Sequence, residues 1–410
     1  MRKIDGLLVF MALILSFNIS GQIRNTETKK DLRSLPEILI STKGKKIKSV
    51  EEWEQIRRPE IVELFEELMY GKVPNKLVKT SFKVTNRVGN AIDGKAKLKE
   101  VVISLFNTAD TVNLHLLIFL PKNKDKPVPL FLSLNSGGNH TVSADTNITV
   151  TPGTQNPRGS DATSWSVEEI LTRGYGFATI YCGDMDPDFD DGFQKGIHPL
   201  FYDEIQNQPR SDEWGTLSAW AYGLSKAMDY IETDSEIDKN KVAVIGHSRL
   251  GKAVLWAGAK DERFQMVILN NSGSGGAALA RGNTKETIKQ MNTPFPNWFC
   301  GNFKAFNGRE DELPFDQHML LALIAPRSVY VAGAQDDRYC DTFAEYQALL
   351  HAGQVYRLYN PETIKSKIPP NVNQPIVVGK MGWHIRSGGH GLTMYDWEQY
   401  LNFADNQFRE

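Results

Sequence analysis

The sequence predicts an α/β fold, a three-layer sandwich in which a mostly parallel central sheet lies between helices. Three observations support this prediction. From residue 127 onward, short apolar runs that fit buried strands alternate with amphipathic stretches that fit helices. One such run leads into a helix through a turn that carries glycine and serine. The chain has 410 residues, of which 41% are hydrophobic, so it can bury a large core.

The turn at residues 246–251 (GHSRLG) is the strongest local signal. An apolar strand run ends at Gly246, a helical run begins at Lys252, and Ser248 lies between them. A serine in this position is typical of the nucleophile elbow of the α/β-hydrolase fold, where helix amides face a developing oxyanion. The usual glycine two residues after the serine is replaced by Leu250. A tight turn with an incidental serine is the alternative.

The N-terminus resembles an export signal. Two basic residues precede the apolar segment 7–17, which is too short for a membrane span, and small residues follow it. We expect residues 1–21 to be a signal peptide, residues 22–75 to be a lead-in plus a helix packed on the core, and residues 76–410 to be the catalytic domain. The mature protein is then exported, to the periplasm or the extracellular space.

The first strands differ from the later ones. Residues 78–120 alternate between polar and apolar positions, which predicts antiparallel strands at one edge of the sheet. A buried strand at 127–134 runs into the glycine-rich turn 135–140, which fits a second oxyanion donor and a plain loop equally well. Another buried strand is expected at 175–181.

An acidic loop follows that strand. Asp184, Asp186 and Asp188 have the spacing that opens a calcium loop, but the later ligands of such a loop are missing. An acidic surface loop is therefore the better interpretation.

The remaining elements continue the alternation around an aromatic-rich excursion at 281–313, which we interpret as part of a substrate-facing cap. The predicted helices are 166–172, 214–230, 316–324, 343–350 and 395–404, and the predicted strands are 265–269, 328–333 and 375–379.

Acyl transfer by a serine requires a base and an acid, which follow the serine in the order acid then histidine in this fold. His390 lies in a glycine-rich loop after the strand at 375–379, which is the expected place of the base. His384 is a weaker alternative. A surface loop histidine is the non-catalytic alternative for either.

The acid has two possible positions. After the strand at 265–269 stand Asn270 and Asn271, and an amide cannot stabilise an imidazolium as a carboxylate does. After the strand at 328–333 stand Asp336 and Asp337. We favour Asp337, with Asp336 as the alternative acid.

Two cations accompany the elbow. Arg249 follows the serine and could strengthen the oxyanion hole or pair with a neighbour. Lys252, one helical turn along, could bind an anionic substrate or be an ordinary surface lysine.

The composition excludes other classes. A net charge of −2 leaves no basic footprint for nucleic acid, and the three cysteines lack the spacing of a metal site. We expect no metal, no cofactor, no nucleic-acid partner and no stable membrane span, and we expect a monomer.

The elbow residues 246–252 resemble the signature of glucuronoyl esterases, carbohydrate esterase family fifteen, most closely its bacterial members. The resemblance continues through residues 271–278, 295–299, 316–318, 325–327 and 384–397. It implies a secreted serine esterase that cleaves esters between 4-O-methyl-glucuronic acid of xylan and lignin alcohols, without a metal. The implied substrate is therefore a glucuronoxylan or lignin–carbohydrate ester.

The resemblance also implies roles for individual residues. Ser248 corresponds to the nucleophile, His390 to the base and Arg249 to an oxyanion donor. Lys252 matches a lysine that contacts glucuronate hydroxyls, and Glu286 and Trp298 lie where further sugar contacts arise.

Two positions depart from the family pattern. Asn271 stands where fungal members have a glutamate, and Tyr339 stands where relatives often have tryptophan. The alternatives are another carbohydrate esterase, acting on acetyl or feruloyl esters, and a non-catalytic glycan-binding homologue.

Overall fold

The structure is a computed structural model that describes residues 35–408. The expected signal peptide, residues 1–21, and the first part of the lead-in lie outside the described residues. Everything described belongs to one compact unit. Within this range, no helix is both long enough and apolar enough to cross a bilayer.

The described strands form one ten-stranded sheet, in the order β1-β2-β3-β5-β4-β6-β7-β8-β10-β9. Their bounds are β1 Lys79–Ala91, β2 Ala96–Phe106, β3 Thr111–Pro121, β4 Val128–Asn135, β5 Gly176–Tyr181, β6 Ile237–His247, β7 Met266–Asn270, β8 Ser328–Ala334, β9 Ile376–Val378 and β10 Met381–Arg386.

The sheet is antiparallel at both ends and parallel in the middle. Strands β1, β2 and β3 form a meander whose last strand pairs antiparallel with β5, as residues 78–120 predicted. From β5 through β4, β6, β7 and β8 to β10, every neighbouring pair is parallel. The prediction of a mostly parallel central sheet is therefore confirmed.

The predicted strand at 375–379 is present, but the strand that follows it was missed. Residues 375–379 supply only β9, a short antiparallel edge strand, whereas the parallel strand next to β8 is β10. His384 therefore lies inside a strand rather than in the loop that follows it. Three-residue β9 is rich in β-branched residues, and this local signal outweighed the mixed sequence of β10.

The described helices are α1 Val50–Glu52, α2 Arg58–Phe65, α3 Ala162–Trp165, α4 Val167–Thr172, α5 Thr216–Ile231, α6 Arg249–Lys260, α7 Ile288–Asn292, α8 Gln317–Ala322, α9 Thr342–Tyr359 and α10 Met394–Phe408. π-helical turns at Trp53–Arg57 and Glu66–Tyr70 flank α2. The excursion at 281–313 contains α7 and two 3₁₀ turns, Gly301–Phe306 and Glu310–Glu312.

Helices cover both faces of the parallel strands, because alternate side chains of a strand point in opposite directions. On one face, Ile245 and Ile268 pack in a single apolar cluster with Ile170 of α4 and Trp397 of α10. On the other face, α6 lies directly on β7, where a Cβ at Gly258 would come within 2.4 Å of Val267. The sheet is thus the middle of three layers.

The segment before β1 packs on the second of these faces. The ring of Tyr70 stacks on Trp256 of α6 with 4.6 Å between centroids, and its hydroxyl donates to the carbonyl of Gly275 at 2.8 Å. Gly71 follows with a φ of 82°, and a Cβ there would lie 2.3 Å from the carbonyl oxygen of Glu213. This residue must therefore be glycine for the chain to leave the helical segment.

Candidate active site

The elbow holds Ser248 in a backbone conformation that few residues adopt. Its φ is 58° and its ψ is −131°, between the end of β6 and the first residue of α6. Such a conformation costs about 1–3 kcal/mol and persists only where surrounding packing enforces it. The amide of Ser248 donates to the carbonyl of Asn270 on β7 at 2.9 Å, which ties the turn to the neighbouring strand.

The displaced glycine of the elbow has a steric reason. A Cβ at Gly251 would lie 2.9 Å from the carbonyl oxygen of Gly246 and 3.0 Å from the Cβ of Ser272. A Cβ at Gly246 would lie 2.5 Å from the carbonyl oxygen of Leu250. The first turn of α6 thus packs so closely on the strand end that residues 246 and 251 need glycine, whereas residue 250 can carry a side chain.

His390 and Asp337 meet at the end of the sheet beside Ser248. The Nδ1 of His390 lies 2.8 Å from Oδ2 of Asp337, whose side chain is fully buried. His390 and Ser248 line the same cavity. Three loops that are distant in sequence therefore bring together a serine, a histidine and a carboxylate.

The Asp337 carboxylate is held by further donors. Its Oδ1 accepts from the amides of Tyr339 at 2.8 Å and Cys340 at 3.1 Å, and its Oδ2 accepts from Nδ2 of Asn271 at 2.6 Å. Burial raises the pKa of Asp337, but the hydrogen bonds from His390 and from these amides outweigh it. The pKa of Asp337 is therefore held well below its usual range, and the group is a stable anion.

The two alternative residues have different surroundings. Asp336 is exposed, and its amide donates to the carbonyl of Gly388 at 3.0 Å. His384 is completely buried in β10, with its Nδ1 3.0 Å from the hydroxyl of Tyr330 and its Nε2 3.0 Å from Oδ1 of Asp396. Both ring nitrogens of His384 are thus engaged away from Ser248.

Arg249 is oriented by the acidic loop. Its Nε donates to Oδ2 of Asp188, and the indole nitrogen of Trp298 donates to the other oxygen of that carboxylate at 3.0 Å. Asp186 of the same loop is buried against Thr216 and His198. The prediction of an acidic surface loop was therefore wrong for Asp186 and Asp188.

Lys252 is not an ordinary surface lysine. It is only 4% exposed, and its ammonium donates to the carbonyls of Ser272 at 2.9 Å and Ser274. Oε2 of Glu286 lies 3.5 Å from the same nitrogen, and the ring of Trp298 lies below it with the centroid at 5.9 Å. Lys252, Glu286 and Trp298 thus form one cluster beside the first turn of α6.

Trp298 is largely enclosed. It is 5% exposed, and its ring stacks on Phe295 with 4.0 Å between centroids. Tyr339, in contrast, is 62% exposed, and its ring lies edge-on to His390 with centroids 5.3 Å apart.

A second histidine lies next to His390. The rings of His247 and His390 have centroids 4.7 Å apart, and Nδ1 of His247 lies 2.7 Å from Oδ1 of Asn270. Burial, followed by the charge of His390, lowers the pKa of His247 to about 4. His247 was not among the predicted site residues, although its place directly before the elbow serine was a usable signal.

Glu345 was also missed. This residue of α9 is fully buried, and its Oε1 accepts from the amide of Gly273 at 2.8 Å. Its Oε2 has no hydrogen-bond partner among the described residues. Burial raises the pKa of Glu345 to about 8, with the charge of Asp337 adding to the effect.

The cavity at the elbow has a volume of about 260 Å³. It lies between the elbow, helix α3 and the loop that precedes α10. The glycine-rich turn after β4 reaches it through Ser136, so this turn is not a remote loop. The cavity is lined by Ser136, Asp161, Ser164, Trp165, His247, Ser248, Arg249, Leu250, His390, Gly391 and Leu392.

Within the described range, one group could offer three ligand atoms to a metal ion, namely Asp337, Cys340 and His390, with these atoms within 4.8 Å of one another. Asp337 and His390 already bond to each other, and the Sγ of Cys340 faces the carbonyl of Asn271 at 3.0 Å. The expectation that no metal takes part stays a prediction.

The chain is similar to several known proteins. A family sequence profile described as "Glucuronyl esterase, fungi" matches residues 193–360. A curated protein of an unknown prokaryotic organism, "Carbohydrate esterase MZ0003", is 44% identical over 389 residues, which cover 91% of this chain and 89% of that protein. A 4-O-methyl-glucuronoyl methylesterase of Podospora anserina is 29% identical over 53% of this chain and 46% of its own length.

Solved structures of esterases are also similar to this chain. A glucuronoyl esterase from Solibacter usitatus superposes with a TM-score of 0.87 at 42% identity, covering 91% of this chain and 97% of that chain. A structure described as a promiscuous CE15 esterase from the marine bacterial metagenome superposes with a TM-score of 0.84 at 43% identity, with the same coverage.

Proposed function

Because the chain belongs to the glucuronoyl esterase family, carbohydrate esterase family fifteen, and is a carboxylic ester hydrolase, we propose that it hydrolyses esters of (4-O-methyl-)glucuronic acid through a Ser-His-Asp triad and an acyl-enzyme. The substrate is the ester between the uronate of xylan and a lignin alcohol. The fold is that of α/β-hydrolases. The protein is exported after removal of residues 1–21, and residues 76–410 carry the catalytic machinery.

The observation that supports this proposal most directly is the contact between His390 and the Asp337 anion next to the strained elbow that presents Ser248. In acylation, His390 takes the proton of the Ser248 hydroxyl as the oxygen attacks the uronate carbonyl carbon. His390 then returns this proton to the departing alcohol oxygen. Asp337 keeps the imidazole oriented and stabilises its charged form. Water attacks the acyl-enzyme by the reverse path and releases the uronic acid.

Arg249 and the first amides of α6 stabilise the negative oxygen of the tetrahedral intermediate. Asp188 and Trp298 support this role, because they fix the guanidinium on the side of the elbow where α6 begins. The sugar ring then lies against the cluster of Lys252, Glu286 and Trp298. The ammonium of Lys252 and the carboxylate of Glu286 are groups that can donate to and accept from sugar hydroxyls, so we assign the sugar side of the ester to this side of Ser248.

The proposed function is tested by replacing the nucleophile. Ser248→Ala should abolish hydrolysis of benzyl glucuronate, measured as released glucuronate, because the variant lacks the hydroxyl that attacks the ester in the proposed mechanism. Ser104→Ala, on the antiparallel edge of the sheet, is the matched control and should retain full activity. Activity of Ser248→Ala equal to that of the control would refute the assignment.

A second candidate is hydrolysis of acetyl or feruloyl esters, which the description of one similar structure as promiscuous favours. The two candidates are separated by comparing kcat/KM for methyl glucuronate, methyl galacturonate and an acetyl ester with the same enzyme. We expect the glucuronate ester to be preferred, because Lys252 and Glu286 can form hydrogen bonds with the ring hydroxyls of the sugar. A preference for the acetyl ester would support the second candidate.

A further inference from the structure

The arrangement of His247 defines which of its ring nitrogens is free. Nδ2 of Asn270 donates to the hydroxyl of Tyr400 at 2.8 Å, so the amide oxygen of Asn270 faces His247. That oxygen can only accept, and Nδ1 of His247 must therefore carry the hydrogen. In a neutral ring, Nε2 is then a bare acceptor.

The His247 ring lines the cavity, and its Nδ1 side is bonded to Asn270. Asn270 and Tyr400 are fully buried and hold the Nδ1 side of the ring, whereas His247 itself lines the cavity together with Ser248 and His390. Because burial and the neighbouring His390 lower the pKa of His247 to about 4, the acceptor stays unprotonated at neutral pH. The cavity at the elbow is thus lined by two imidazoles, those of His247 and His390.

We propose that His247 is a further catalytic residue, whose Nε2 accepts a hydrogen bond from the hydrolytic water and orients it for attack on the acyl-enzyme. This inference rests on the proposed function. Water has two O–H groups. One donates to Nε2 of His390, which is the base, and the other donates to Nε2 of His247, so that an oxygen lone pair faces the acyl carbon.

The step balances in atoms and electrons. The water oxygen forms a bond to the acyl carbon while His390 takes one proton. The bond between that carbon and Oγ of Ser248 then breaks, and His390 returns the proton to Oγ. The second hydrogen stays on the product acid, and His247 neither gains nor loses a proton. An alcohol has a single O–H group, which His390 uses, so alcoholysis of the acyl-enzyme does not need His247.

This difference gives a test that a purely structural role of His247 would not affect. The acyl-enzyme is formed from an activated aryl glucuronate ester in water containing methanol. The ratio of methyl glucuronate to free glucuronate is then measured. Both products arise from the same acyl-enzyme, so the ratio is independent of how much protein is folded.

His247→Asn keeps an amide that can donate to Asn270 but removes the acceptor at Nε2, and His247→Gln places an amide oxygen near Nε2. We expect the methyl ester to acid ratio to rise about five- to tenfold in His247→Asn, the effect of losing one hydrogen bond, and to return towards the wild-type ratio in His247→Gln. His247→Ala replaces the Asn variant if the latter does not accumulate, with the same expectation.

An unchanged ratio in His247→Asn, or a ratio that His247→Gln does not restore, would overturn the assignment of His247 even if all rates fall. A failure of the proposed function looks different, because the wild-type enzyme would then form neither product from the glucuronate ester.

Discussion

The carboxylate of Asp337 accepts four hydrogen bonds, from Nδ1 of His390, Nδ2 of Asn271 and the amides of Tyr339 and Cys340. This arrangement separates two adjacent aspartates that local sequence could not separate. Asp336 follows the same strand and has the same charge, but it is exposed. The choice between Asp336 and Asp337 as the candidate acid therefore depends on which of the two side chains the turn points into the protein.

Asp337→Asn should lower kcat for benzyl glucuronate by about ten-thousandfold, because an amide cannot stabilise the imidazolium and favours the wrong tautomer of His390. Asp336→Asn is the matched control and should leave kcat within about twofold. Asn271→Ala should cost about tenfold, since it removes only one of the four donors to Asp337. Equal losses in the two Asp variants would place the acid elsewhere.

The buried carboxyl group of Glu345 should make the stability of the protein depend on pH. The folded protein holds its proton up to pH of about 8, whereas the usual value is 4.5. Unfolding therefore releases a proton between these pH values, so the stability contributed by neutral Glu345 is complete below about pH 4.5 and is lost as the pH rises towards 8.

Glu345→Gln cannot ionise and should lack this loss. From pH 5 to pH 8, the free energy of unfolding of the wild type should fall relative to Glu345→Gln by roughly 4 kcal/mol, since one pKa unit corresponds to about 1.4 kcal/mol. Urea unfolding at the two pH values measures the difference. A difference that stays constant would show that Glu345 titrates alike in the folded and unfolded chains.

At the scale of elements, the sequence predicted the strand and helix order well where apolar runs are long, as in β4, β6 and α5. The prediction failed where an element is held by a contact between residues that are far apart in the sequence. Asp188 meets Arg249, which lies 61 residues later, and no local pattern reports such a pair. The loop was interpreted from its composition, and composition does not reveal that the chain folds back over the start of α6.

The loop contact can be tested with two neighbouring aspartates. Asp188→Asn should lower kcat/KM by about ten- to a hundredfold, because Arg249, the proposed oxyanion donor, loses the anion that orients it. Asp190→Asn changes an exposed carboxylate of the same loop and should leave kcat/KM within about twofold. Identical behaviour of the two variants would remove Asp188 from the site.

At the scale of the whole molecule, the segment before β1 is part of the core rather than an addition to it. Tyr70 contacts both helix α6 and the stretch that follows β7. Both of these segments adjoin the elbow. The sequence predicted a helix packed on the core here, but it could not reveal the partners, since Tyr70 and Gly275 lie 205 residues apart.

Tyr70→Phe should lower the free energy of unfolding by about 1–2 kcal/mol, because the carbonyl of Gly275 loses a buried donor. Tyr395→Phe is the control, as the hydroxyl of Tyr395 has no partner in the described part of the chain. Chemical unfolding of both variants measures the effect. Equal stability would show that Tyr70 contributes through its ring alone.

The two edges of the sheet have a consequence for behaviour at high concentration. An unpaired edge strand can recruit a strand of another molecule and begin aggregation. Edge strand β1 carries exposed Lys79, Lys83 and Arg87, and its register shifts twice against β2. The opposite edge strand, β9, has only three residues. Charge and irregularity at one edge and shortness at the other thus disfavour fibrillar association of the protein at high concentration.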